Sequence, residues 1–278
     1  MKMPEGCALT AGVWYDLVSE EGGNGFRAST CSNLTTFDTK LSVYTGDGVS
    51  LRCVGFNDDD ARCGTKSALS WKGQPGERFF LQIHGFWATT PTGNFGLLLE
   101  RFAVAENDEC ENAQVLEPAA GQVTLGSTVN ALIDSKAPFC YLPISTPSVW
   151  YRLMGTGTSM RASTCHILTT FDTRIAVYEG SACTSSKCVY ANSDSNVRCE
   201  HGDDASTVTW FAGGGKTYYL LVYGAPPEAS GDFGLTVEQV GAPQNDLCMD
   251  AHVIDSALGL AEPGSIVDAN QDMFVPFC

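Results

Sequence analysis

Residues 27–46, RASTCSNLTTFDTKLSVYTG, return almost verbatim as residues 161–180, RASTCHILTTFDTRIAVYEG. Such duplication constrains the architecture more than any single motif, because the repeat must be delimited before anything inside it is interpreted. GVWYDL (12–17) matches SVWYRL (148–153), and residues 52–64 match 187–200. Residues 70–85 match 209–224, and GNFGLLLE (93–100) matches GDFGLTVE (231–238). A third, partial copy begins at NDLCMDAHVI (245–254), which answers NDECENAQVL (107–116), and both of these segments run on to a PFC, at Cys278 and Cys140. The period of 134–139 residues is too long for a solenoid and suits a small domain. The chain therefore divides into 1–106, a repeat without its opening segment; 107–244, a complete repeat; and 245–278, the opening of a further repeat.

Apolar residues make up 44% of the chain and aromatics 10%, enough for units of this size to build cores. No run approaches the ~18 apolar residues of a membrane-spanning helix. Net charge is −16, which excludes nucleic acid and anionic membrane surfaces as partners, since both need basic patches. Twelve cysteines, most at matching repeat positions, point to disulfides and an oxidising, secreted setting. Zinc is the competing use of cysteine, but there is no CxxC pair and the four histidines do not repeat. MKMPEGC lacks the apolar stretch of a secretory signal, so the chain reads as a slice of a longer precursor.

Strict alternation in FDTRIAVYEG, with Ile175 and Val177 on one side and Ala176 and Tyr178 on the other, predicts a strand. KTYYLLVYG and FGLTVEQV read the same way, and GDG, GGG and NDDD supply turns between strands. The expected fold is all-β: tandem disulfide-bonded β-sandwich domains of jelly-roll type. Trp14, Trp150, Trp71 and Trp210 are expected in the sandwich cores.

The ordered set VWY, ASTC, FDTxLxVYxG, CVxxND, W and GxFxL resembles tandem β-sandwich repeats of secreted microbial and protist surface proteins. These are distantly similar to the bacterial pre-peptidase C-terminal domain, and FDTKLSVYTG is also faintly similar to a CUB-domain segment. The resemblance implies a non-catalytic, often calcium-stabilised extracellular module.

Strand direction predicts the disulfides. The Asp172–Glu179 strand spans roughly 26 Å at ~3.3 Å per residue, which carries Cys183 out of reach of Cys165. The expected pairs are Cys183–Cys188 across the turn, Cys165–Cys199 at the loop end, and Cys110–Cys140 by remainder. Cys31–Cys63 is expected in the first unit, with Cys53 stranded, either buried and inert or bridging to another chain.

The same geometry collects acids at one end of each unit: Asp38 with Asn57, Asp58 and Asp59, and Asp172 with Asn192 and Asp194, Asp203 and Asp204 lying near. Calcium takes six to eight oxygens from such loops, and a cation neutralises their repulsion; Asp and Asn are also ordinary turn formers. Asn33, in the sequon NLT, is a glycosylation candidate in a loop. Phe86 and Trp87 are candidate sugar contacts, having no aromatic counterparts in the second unit.

No GxSxG, HExxH or phosphate loop is present, so the chain reads as no enzyme. The expected function is a structural or adhesive element of an extracellular assembly: either a continuous array, or a filament of copies joined head to tail, with 245–278 lying against the Cys7–Leu17 region of the next unit. Cys7 and Cys278 both match Cys140, so donor and acceptor compete for one cysteine partner. The alternative is an array of carbohydrate-binding modules contacting extracellular polysaccharide.

Overall fold

The computed structural model describes residues 7, 11–20, 24–86, 92–194, 199, 204–226, 230–241, 245–246, 251–253, 264, 266 and 269. It is nearly all β, and the chain divides into two compact units, Met1–Val104 and Ala105–Cys278. The expected third segment, 245–278, lies largely outside the described residues.

In the first unit, strands β1 (Val13–Val18), β6 (Arg78–Gly85), β3 (Thr39–Gly46) and β4 (Leu51–Asn57) form one antiparallel sheet in that order. Strands β5 (Ala68–Lys72), β2 (Gly25–Ser29) and β7 (Leu98–Phe102) form the other. Phe26, Ala28, Leu41, Val43, Trp71, Phe79, Leu81 and Ile83 fill the space between them.

The second unit repeats this plan and enlarges it. Its first sheet runs β13 (Lys187–Asn192), β12 (Thr173–Glu179), β15 (Thr217–Gly224), β10 (Ser148–Met154), β8 (Gln114–Val115). The second runs β14 (Thr207–Ala212), β11 (Thr158–Ser163), β16 (Asp232–Val240), β9 (Val123–Ser127). The two added strands come from the opening segment. β8 pairs in parallel with β10, and β9 pairs antiparallel with β16, so both sheets gain a strand at the same side of the sandwich. The β3/β4 pair shifts register between Val43 and Tyr44, and β12/β13 shifts between Val177 and Tyr178, so even the irregularity is duplicated.

Alternation along β12 sends its residues into two different apolar layers. Ile175 and Val177 join the inter-sheet core with Trp210, Leu220 and Phe233. Ala176 and Tyr178 join a second cluster with Trp150, Leu221, Cys110 and Cys140, under the opening segment. Trp71 and Trp210 are core residues as expected, whereas Trp150 belongs to this second layer and Trp14, its counterpart, is exposed. The difference is one of cover, not of residue type.

Candidate functional site

The duplicated AST and FDT segments build a buried knot of hydroxyl groups where β2 or β11 ends and β3 or β12 begins. Thr30 Oγ1 and Thr39 Oγ1 lie 2.7 Å apart, and the Ser67 N–H donates to Thr30 Oγ1 (2.9 Å) and Thr39 Oγ1 (3.2 Å). The Ser67 hydroxyl lies between the carbonyls of Thr39 (2.5 Å) and Asp58 (3.1 Å). The second unit repeats this arrangement, except that the Ser206 hydroxyl reaches the Asn192 carbonyl (3.3 Å) where Ser67 reaches that of Asp58. Thr164 and Thr173 are 2.6 Å apart, the Ser206 N–H reaches both, and the Ser206 hydroxyl bonds the Thr173 carbonyl. Thr35 and Thr169 each donate to the carbonyl of Thr30 or Thr164 at 2.6 Å. Six of these hydroxyl residues, Thr30, Thr39, Ser67, Thr164, Thr173 and Ser206, are fully buried. Buried polar groups must be paired, and these Ser and Thr side chains satisfy one another and the adjacent loop backbones. Ser67 and Ser206 lie outside the long duplicated segment, which is why the sequence reading did not single them out.

The acids gather at this same end. Burial, then repulsion from Asp59 and Asp58, raises the Asp38 carboxyl above its ordinary value. For Asp172 burial comes first, then Asp204 and Asp194, with Arg174 opposing. One carboxylate oxygen of each, Oδ1, is shielded from solvent and has no hydrogen-bond partner. Each unit thus places one unpaired, shielded carboxylate oxygen beside further acids, though in neither do three of the described carboxylates lie within 4.8 Å of one another.

The asparagines are spent otherwise. Asn57 Oδ1 accepts the Ala68 N–H at 3.1 Å. Asn192 Nδ2 donates to the Asp194 carbonyl (2.5 Å) and the Thr207 carbonyl (2.9 Å), while its Oδ1 accepts from Ser193 (3.0 Å). These amides brace the loops, and the carboxylates carry the charge. Asp58 Oδ1 accepts the Asp59 N–H (3.1 Å) at an exposed place. Among the described residues the only trio of ligand-type atoms within 4.8 Å of one another is Cys31, Asp60 and Cys63; its sulfurs are joined in a disulfide and its acid is paired with Arg62. Asp203 lies outside the described residues.

The disulfides follow a different logic from the expected one. Cys31–Cys63 and Cys165–Cys199 form at the acidic end, with Cα separations of 5.6 and 5.5 Å. Cys110 pairs with Cys183, not Cys140, and Cys188 pairs with Cys140, not Cys183. The opening segment lies across the outer face of the β12/β13 sheet, so each hairpin cysteine meets a partner from the covering layer before it can meet its neighbour across the turn. By the same rule Cys53 is not stranded: it bonds Cys7, the counterpart of Cys140.

That covering layer is where the two units differ most. In the second, the Trp150 N–H donates to the Asn107 carbonyl (2.8 Å), Asn107 Nδ2 returns a bond to the Trp150 carbonyl (3.0 Å), and the indole N–H reaches Asp134 Oδ2 (2.9 Å). Trp150 and Tyr151 are each 1% exposed. Residues 107–132 have no counterpart in the first unit of this chain, and there Trp14 is 41% and Tyr15 40% exposed. Val13, Val18, Leu98 and Leu99 are exposed with them, along the β1 and β7 edges that β8 and β9 would flank. Covering a Trp of this exposure removes on the order of 100 Å² from water, about 2.5 kcal/mol at ~25 cal/mol per Å².

Asn33 is exposed at the turn after Cys31. Its sequon partner Thr35 is buried and bonded within the knot. Lys40 Nζ lies over the rings of Phe56 (5.0 Å) and Phe86 (6.0 Å), and Trp87 lies outside the described residues. Burial holds the His84 imidazole below its ordinary value, and its Nε2 is shielded without a hydrogen-bond partner.

Among the described residues no helix is long and apolar enough to cross a membrane. No family model matches the chain, so its resemblance to the pre-peptidase C-terminal and CUB families rests on the sequence segments alone. No curated protein matches it either. Among solved structures, an uncharacterized protein from Burkholderia cenocepacia is 12% identical, over 84% of this chain and 78% of its own, with a TM-score of 0.28. The N-terminal CBM22-1-CBM22-2 tandem of Paenibacillus barcinonensis Xyn10C is 10% identical, over 83% of each chain, with a TM-score of 0.25. Tandem CBM51 modules of a family 98 glycoside hydrolase from Streptococcus pneumoniae are 11% identical, over 82% of this chain and 81% of theirs, with a TM-score of 0.19. TM-scores this low assign the chain neither a fold nor a ligand, and what the molecule shows by itself is a tandem of disulfide-bonded β-sandwich units.

Proposed function

We propose that this chain is a non-catalytic structural module of a secreted, extracellular assembly, built from copies joined head to tail. The observation behind the reading is the exposed apolar row along β1, Val13, Trp14, Tyr15 and Val18, at an edge of the first unit's sheet. Sheet edges with unpaired backbone groups and exposed aromatics are association surfaces. Calcium belongs to the proposal as a stabiliser. Asp38 with Asp58 and Asp59, and Asp172 with Asp194 and Asp204, would hold it through carboxylates, and its charge would offset the repulsion that, after burial, raises both partly buried acids. Asn33 would carry a glycan on a surface facing away from the knot. Light scattering and electron microscopy of the purified chain with millimolar calcium test the reading. Concentration-dependent oligomers or fibres are expected; a monomer at every concentration rejects it.

A second reading, carbohydrate binding, is favoured by one feature. The aromatic pair Phe56 and Phe86 flanks Lys40 in the first unit, whereas the second unit has Ala191 and Ala225 at those places. Aromatic rings beside a cation offer a sugar both an apolar face and a hydrogen-bond donor. Glycan-array binding that disappears in Phe86→Ala and Trp87→Ala would favour this reading over the first.

A further inference from the structure

We propose that the second unit binds a neutral polysaccharide through an aromatic tip made by Phe139, Tyr141 and Tyr190. This site differs from the Phe56/Phe86 pair of the first unit, and its case does not depend on head-to-tail assembly. Phe139 is 73% exposed and Tyr141 54%, on either side of Cys140, which is 1% exposed. Tyr141 is the one non-glycine among the described residues with a positive φ, 55°. The Leu142 N–H donates to the Cys140 carbonyl (2.5 Å) and closes a three-residue turn around it. A positive φ at the centre of such a turn marks its rare, strained form, and a tyrosine is disfavoured there relative to glycine or asparagine.

Strain of this kind persists only where the surroundings impose it. Here they do. The hydroxyl of buried Tyr178 donates to the Pro138 carbonyl (2.8 Å), and Cys140 is joined to Cys188 on β13. Tyr190, two residues further along β13, meets the Tyr141 ring edge to face, with centroids 5.6 Å apart. The fold itself does not require these rings. The matching disulfide, Cys7–Cys53, forms in the first unit with Gly6 and Ala8 flanking Cys7 and Gly55 in the place of Tyr190. Three aromatics in one repeat stand against three small residues in the other, all gathered around a single disulfide.

Area and chemistry select the occupant. At ~200 Å² for a whole aromatic side chain, Phe139 and Tyr141 together expose roughly 250 Å². A stable protein–protein interface takes about 800 Å² from each partner. A pyranose suits the smaller area, because its C–H face stacks on a ring while its hydroxyls pair with a phenol group. The net charge of −16 favours a neutral polymer over a sulfated or uronic one. Because the turn is fixed beforehand, ordering the rings costs little on binding.

Affinity electrophoresis and isothermal titration calorimetry of the full chain test this. The neutral probes are β-linked hexasaccharides of glucose, mannose and xylose, and a polyuronate is the charged one. The parent is expected to bind a neutral probe and not the polyuronate. Phe139→Ser and Tyr141→Gly should each bind roughly tenfold more weakly, and Tyr141→Phe, which keeps the ring, should lose clearly less. Tyr141→Gly should also keep the parent's denaturant midpoint, since glycine accepts the left-handed backbone. A ring serving only the fold would instead lower that midpoint and leave affinity unchanged. If Tyr141→Gly unfolds, the exposed Phe139→Ser decides alone. A parent that binds no neutral probe, or prefers the polyuronate, overturns the proposal. So does binding that survives Phe139→Ser and Tyr141→Gly but is lost in Phe86→Ala, which would assign the sugar to the first unit.

Discussion

Thr164 and Thr173 share a hydrogen bond of 2.6 Å between side-chain hydroxyls at a fully buried place, and both receive the N–H of Ser206. Replacing Thr173 by Val keeps the shape and removes the acceptor, leaving buried donors under-satisfied at a cost of about 1–3 kcal/mol. Thr173→Ser keeps the hydroxyl and should cost clearly less. Denaturant unfolding of the two variants measures the difference, and equal losses would show that packing, not the hydroxyl, matters here. Thr39→Val is expected to repeat the result in the first unit.

Asp172→Asn should reverse sign with calcium. The folded carboxyl titrates above its ordinary value of 3.8, so the stability it contributes is fully present below the unfolded pKa and is lost as pH rises through the folded one. At neutral pH the charge is a burden, and Asp172→Asn is expected to raise Tm in chelator. With calcium at about a hundredfold excess over Kd, the parent should gain about 2.7 kcal/mol and the variant little. That gain should shrink as acid protonates Asp172. Thermal scans at pH 7 and pH 5, with and without chelator, check the pattern; superimposable parent curves would exclude the ion.

Cys110→Ser should expose one reactive thiol, at Cys183, and leave Cys140 and Cys188 joined. Alkylation without reduction followed by peptide mass mapping reads this directly. Loss of a disulfide closing so long a segment is expected to cost about 2–4 kcal/mol. Modification at Cys140 instead would restore the pairing within the opening segment.

Asn33→Gln should remove a glycan-sized mass increment from protein secreted by eukaryotic cells and leave folding intact, since the side chain is exposed. Thr35 is buried and hydrogen bonded once folded, so attachment must come before the loop closes. Intact-mass comparison of parent and variant decides the point.

The strands, the tandem and the acidic ends were legible because alternation, repetition and turn chemistry are local signals. Ile175/Val177 against Ala176/Tyr178 gave the strand, and its Ala176/Tyr178 side packs under the covering layer formed by the opening segment. That layer decided what local reasoning could not. Trp14 and Trp150 sit in the same motif, yet Trp150 is buried against Cys110, Ala113 and Cys140 with its indole bonded to Asp134, contacts that no local pattern announces. The pairing of Cys183 and Cys188 likewise depended on a segment tens of residues away in sequence, whereas Cys31–Cys63 and Cys165–Cys199 followed from strand direction alone. The role of Asn57 and Asn192 was hidden for a related reason: an amide serves a cation or a backbone according to which lies nearer.

The Cys110–Cys183 bond has a mechanical meaning. It joins residues 73 positions apart, and Cys140–Cys188 overlaps it. A pull on the two ends of the second unit would run through the sulfurs and bypass the enclosed polypeptide, whose contour is roughly 240–260 Å at ~3.3–3.6 Å per residue. A fibre of such units would be short and stiff under load while oxidised. Reduction would release that slack, turning the same fibre into one that lengthens before it breaks.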